Sequence, residues 1–130
     1  EDLHAYLIGL QTTRYSLSVE NFRENFYNPP SEEMLNWLIR ESLRTPTALG
    51  ACINYDLAYR DFRPSLRKIR VPTLLFFGVG GNIFLPETGE YMKKQIPESK
   101  LVIFEKSGHC LHLEEKEKFN RELDQWVSSL

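Results

Sequence analysis

Cysteine is nearly missing from this sequence of 130 residues, which holds only Cys52 and Cys110. Two cysteines make no disulfide framework of the kind that braces small secreted domains, and the chain is read as a reduced, cytoplasmic one. An excess of charge is missing too. A formal net charge of −2 argues against the basic footprint of a nucleic-acid surface or a basic membrane surface. No apolar run approaches the roughly 20 residues that cross a bilayer, and no signal peptide is visible. The sequence opens on Glu1-Asp2 with neither a methionine nor a leading strand. A processed or excised segment would begin this way, although trimming of a disordered start is the blander explanation. What remains is ordinary: 42% hydrophobic and 26% charged residues, enough for one modest core.

The pattern changes near Asp61, which divides the chain into residues 1–60 and 61–130. Before it, apolar residues recur at helical spacing. Leu3, Tyr6, Leu7 and Leu10 share one helix face. Ser18 with Glu20 suggests the start of a second helix, which Asn28-Pro29-Pro30 stops. Ser31, followed by Glu32 and Glu33, caps a third that runs toward Leu43, and a fourth covers about Ala48 to Arg60 despite Gly50. After Asp61, Val71 to Phe77 is a continuous apolar run ending in Gly78, Gly80 and Gly81. Such a strand is buried on both faces, as in a parallel sheet covered by helices. Pro86 to Ile96 reads as a helix, Lys100 to Glu105 as a second buried strand, and Phe119 to Leu130 as an amphipathic closing helix. The predicted fold class is α/β: helices, then a strand–helix–strand–helix unit with parallel strands and a right-handed crossover. Two parallel strands make a poor sheet alone, so this unit is expected to pair with more sheet from elsewhere or to be unstable.

In open parallel sheets, ligands bind beyond the carboxyl ends of the strands. Here those ends are the loops Gly78 to Leu85 and Lys106 to Leu113. Neighbouring strands lie about 4.8 Å apart, so the two loops can bring an acid and a histidine together. The ordered set Asp61-Phe62-Arg63-Pro64, Ile69 to Leu74, Gly78, Ile83 to Pro86, Ser107-Gly108-His109 and His112-Leu113-Glu114-Glu115 resembles the C-terminal half of α/β-hydrolases. The nearest group is that of esterases and cofactor-free haloperoxidases, with residues 1–60 standing where the helical cap stands. The resemblance implies that His109 is the general base that activates a serine, and that His112 is a supporting loop residue. A loop histidine with a local hydrogen-bonding role is the alternative for His109. His4 has no such context.

The family's acid would fall at Gly81, which cannot orient an imidazole; Asn82 beside it is a weak substitute, since an amide does not stabilise an imidazolium as a carboxylate does. Asp61 and Glu87 are close in sequence but belong to a connection and a helix first turn. No serine sits in a G-x-S-x-G elbow, and Cys110 is expected to pack rather than attack. The resemblance therefore implies a serine hydrolase for an apolar ester-like substrate, whose nucleophile lies on an N-terminal half outside this sequence. A non-catalytic ligand-binding relative with a broken triad is the competing reading. Aromatics among the first 60 residues, including Tyr6, Tyr15, Phe22, Phe26, Trp37 and Tyr55, would roof the substrate or fill the core. No cofactor is called for. Gly78-Val79-Gly80-Gly81 lacks the Lys-Ser/Thr of a phosphate loop, and His109, His112, Glu114 and Glu115 match no metal-ligand spacing. Glu114 to Lys118 reads as the solvated start of the last helix.

Overall fold

The computed structural model describes residues 3–80 and 83–130. They form helices α1 (Leu3–Thr12), α2 (Arg14–Glu24), α3 (Glu32–Ser42), α4 (Thr47–Tyr59) and α5 (Arg63–Leu66), followed by strand β1 (Thr73–Gly78). Helix α6 (Pro86–Gln95), strand β2 (Ser99–Phe104) and helices α7 (Leu111–Glu114) and α8 (Lys116–Ser128) complete the order. The chain divides into two compact units, Glu1–Arg23 with Pro30–Asp61, and Glu24–Pro29 with Phe62–Leu130.

In the first unit, α3 begins as its sequence suggests. The Ser31 hydroxyl accepts the Met34 amide at 3.2 Å, and Glu32 and Glu33 stand in the first turn. Its Leu35 and Ile39 are the buried residues of this unit's core. Arg14 ties three helices together, donating to Thr47 Oγ1 at 3.0 Å and to the Ser42 carbonyl at 2.5 Å. The second helix starts earlier than Ser18, which lies inside it. The amides of Thr13 and Leu17 bond to the carbonyls of Gly9 and Thr13, so the ladder runs almost unbroken from α1 into α2. A side-chain cap signal carries little weight where the backbone bonds on both sides of it are already made. Helix α4 has no buried residue, and Leu49, Ile53 and Leu57 along one side of it are exposed. Of the aromatics expected to roof a substrate or fill the core, Phe26 belongs to the second unit and is buried there, Tyr6 and Phe22 are half-buried, and Tyr15, Trp37 and Tyr55 are exposed.

In the second unit, β1 and β2 pair in parallel, with Thr73 opposite Ser99 and Gly78 opposite Phe104. The first strand starts two residues later than the apolar run. Val71 is exposed, and Pro72 has no amide to give to a ladder. Alternation along the strands separates two faces. On one, Phe77 and Leu101 pack against α6 at Gly89, where an added Cβ would come within 2.7 Å of Phe77 Cδ2 and 2.9 Å of Leu101 Cδ1. On the other, the rings of Phe76 and Phe104 meet edge-on with centroids 5.2 Å apart, and Phe119 of α8 lies 5.1 Å from Phe76. Both faces are covered by helices, as a strand without polar alternation requires. Coverage is incomplete, however: most β1 residues are half-buried, and Phe62, Val79, Leu123 and Val127 are exposed.

Lys118 fastens α8 to the end of β2. Its ammonium donates to the Ile103 carbonyl at 2.7 Å and to Glu105 at 2.6 Å, and lies 4.9 Å over the Phe104 ring. The hydrogen bond from Lys118 is the main reason the Glu105 carboxyl sits below its ordinary pKa.

Two glycines should respond oppositely to substitution. A Cβ at Gly50 meets nothing within 4 Å, so Gly50→Ala should stabilise the chain by about 0.5–1 kcal/mol through helix propensity. Gly89→Val overfills the contact between α6 and the sheet and should cost about 1–3 kcal/mol. Urea unfolding measures both; effects of the same sign would contradict this packing.

Candidate active site

The loops after β1 and β2 are drawn together by main-chain bonds. The Val79 amide donates to the Phe104 carbonyl at 3.0 Å, and the Gly80 amide to the Ser107 carbonyl at 2.9 Å. A Cβ at Gly78 would collide with the backbone of Ser107 and Gly108. One at Gly108 would lie 2.5 Å from the Asn25 carbonyl oxygen. No described residue has a positive φ, so both positions need glycine for space and not for a left-handed turn.

This contact sets the backbone on either side of His109. Ser107 is wholly buried, and its hydroxyl donates to Glu115 Oε2 at 2.7 Å, which also accepts the Lys106 amide at 2.9 Å. The Gly108 amide donates to Glu114 Oε2 at 2.7 Å. The other oxygen of that carboxylate accepts the amides of Tyr27 at 2.8 Å and Asn28 at 3.2 Å. His109 itself donates its amide to the Asn25 carbonyl at 2.7 Å. Hydrogen bonds to a charged acceptor are worth roughly 1.5–3 kcal/mol each, and less where water shares the acceptor. Glu114 and Glu115 are half-buried, and neither is the solvated helix start that their alternation of charge suggests.

With its backbone held, His109 turns an exposed imidazole over a cleft of about 300 Å³, lined also by Phe76, Phe77, Phe84, Met92 and Leu111. Its ring lies 5.8 Å from that of Phe84, between centroids, at 41°. The two strand-end loops therefore do bring side chains together. The partner is an aromatic ring, and none of the described residues lining the cleft is a carboxylate. Gly81 and Asn82, the expected acid position and its neighbour, lie outside the described residues. Asp61 is exposed after α4, and Glu87 is exposed in the first turn of α6. His112, three residues beyond His109 on α7, packs against Phe119 at 6.0 Å and does not line the cleft.

Cys110 is buried beside His109. Burial pushes its thiol pKa up, and the nearby negative charge of Glu114 adds to the rise. A thiol kept protonated is a poor nucleophile, so this residue packs the loop. Among the described residues no cluster of His, Cys, Asp and Glu is placed to hold a metal ion, and no helix is long and apolar enough to cross a membrane.

Residues 18–116 match the sequence pattern of the α/β hydrolase fold. The chain belongs to the α/β-hydrolase fold family. It is 32% identical over 118 residues to a pimeloyl-[acyl-carrier protein] methyl ester esterase from Neisseria meningitidis, covering 87% of this chain and 37% of that protein. An esterase from Exiguobacterium antarcticum superposes with a TM-score of 0.91 at 29% identity, over 98% of this chain and 47% of the esterase. A bromoperoxidase from Bacillus anthracis, at 20% identity and a TM-score of 0.84 over 97% of this chain and 48% of that one, bears on the fold alone. This α/β-hydrolase chain thus spans less than half the length of these relatives.

The thiols provide a check on the loop. Cys52 is exposed and Cys110 buried, so iodoacetamide at pH 8 should modify Cys52 in the folded α/β-hydrolase chain and reach Cys110 only in denaturant. Equal rates under native conditions would contradict the packing of the His109 loop.

Proposed function

We propose that this chain supplies the general base, His109, of a serine hydrolase acting on carboxylic esters, with the helical first unit as its cap domain. The observation that carries the reading is the placement of an exposed imidazole, its backbone fixed on both sides, at the mouth of an apolar cleft beyond the carboxyl end of a parallel strand. Esterase relatives on both the sequence and the structure side support it.

In this mechanism the nucleophilic serine comes from sequence outside these residues. The His109 imidazole takes the serine hydroxyl proton as the oxygen attacks the ester carbonyl carbon, then gives that proton to the departing alcohol. Water attacks the acyl-serine with His109 again accepting a proton, which returns to the serine oxygen as the carboxylic acid leaves. Phe76, Phe77, Met92 and Leu111 favour an acyl chain without charge along its length. A pimeloyl methyl ester, after the name of the Neisseria relative, is the first substrate to try.

One observation favours a second reading. Position 81 carries glycine and position 82 asparagine, and a hydrolase without its triad acid can lose about 10⁴-fold in turnover. A protein built this way would hold an ester or acid in its cleft without cleaving it.

The two readings separate on the intact protein that carries this segment, purified with any polypeptide that accompanies it. Hydrolysis of p-nitrophenyl butyrate and labelling of a serine by a fluorophosphonate are expected, both falling about 10⁴-fold or more in His109→Ala. Absence of a labelled serine, with tight binding of medium-chain esters, would overturn the enzyme reading in favour of the second.

A further inference from the structure

We propose that Glu114 is the positioning residue of this site, a carboxylate clamp that locks the His109 loop onto residues Asn25 to Asn28 and so fixes where the imidazole stands. The inference rests on the reading of His109 as the base. Its own observation is the division of labour between the two oxygens of Glu114. Oε2 accepts from Gly108, the residue next to His109, and Oε1 accepts from Tyr27 and Asn28, more than 80 residues away in sequence.

The placement is not explained by helix formation. Glu114 closes the short α7, and a carboxylate gains nothing at a helix C-terminus, where the exposed carbonyls already carry negative charge. It is explained by the amides that need an acceptor. The loop folds so tightly that Gly108 lies against the backbone of Asn25, Phe26 and Tyr27 with no room for a side chain. Gly108 is buried and its amide is costly to leave unpaired; the half-buried carboxylate accepts it and, through its other oxygen, the more exposed amides of Tyr27 and Asn28. Apart from this clamp, the bond from the His109 amide to the Asn25 carbonyl joins the same two segments. One such bond leaves the loop a hinge; a carboxylate bridging both segments removes it. Glu115 braces the N-terminal side of the loop through Ser107 and Lys106, so Glu114 is the brace on the side of His109.

The test is steady-state hydrolysis of p-nitrophenyl butyrate by the intact protein, comparing Glu114→Gln, Glu114→Ala, His109→Ala and Lys118→Met. Glutamine has one acceptor oxygen in place of two, so whichever way its amide turns, an NH2 group faces one of the two segments and the clamp opens with little change elsewhere. It also serves if the alanine variant does not fold. Lys118→Met is the control for lost stability, since its partners lie on β2 and on Glu105. Small misplacements of a catalytic group cost up to about 10²-fold, so both Glu114 variants should lose about 10- to 100-fold in kcat with KM little changed. Lys118→Met should keep its kcat at temperatures where it is folded. A kcat for Glu114→Gln no lower than that of Lys118→Met would overturn the inference alone. Full activity in His109→Ala would overturn the proposed function, and the positioning role with it.

Discussion

Close approach of backbone to backbone governs the second unit of this chain. Gly78 lies against Ser107 and Gly108, and Gly108 lies against Asn25, so three segments distant in sequence meet where no Cβ fits. Such contact buries Ser107 and Gly108, and buried donors must be paired. Two adjacent carboxylates resolve the problem. Between them Glu114 and Glu115 accept from Lys106, Ser107, Gly108, Tyr27 and Asn28. The imidazole of His109 is the side chain left to project from this fixed backbone. Acid residues that look like surface charge are here the means by which a loop acquires one shape.

The surroundings of that imidazole are largely apolar. The cleft is walled mainly by aromatic and aliphatic side chains, and the thiol of Cys110, next to His109 in the chain, has its pKa raised by burial and by Glu114. The sheet beneath is two strands wide among the described residues, and several large apolar side chains beside it remain in solvent. The chain spans 37% of the Neisseria esterase and 47% of the Exiguobacterium esterase that it resembles.

Much of this was legible in the residues. The continuous apolar run from Val71 to Phe77 and the segment Lys100 to Glu105 announce strands covered on both faces, and Ser31 announces the start of α3. Both signals are local and depend on a period or a single cap. The order of short motifs from Asp61 to Glu115 was sufficient to suggest the α/β-hydrolase family. What escaped was the set of bonds linking distant segments. Asn25 to Asn28 reads as the end of a helix, and nothing in its composition says that it is the seat of a loop 80 residues later. Glu114 and Glu115 sit in an alternation of charge typical of a wet helix start, and their acceptor role depends on amides contributed by other segments. Ser18 misled for the opposite reason: its cap signal is real, but the ladder through Thr13 had no end there to cap.

On this reading the His109 loop has a single shape because Glu114 joins it to Asn25–Asn28. Native-state hydrogen exchange on the chain, read amide by amide by NMR, tests this most directly. The amides of Tyr27, Gly108 and His109 should be protected together, with the slow exchange of the β1–β2 ladder, because opening the clamp exposes all three at once. Exchange of these amides at the rate of an open loop, while the strand amides stay protected, would contradict it.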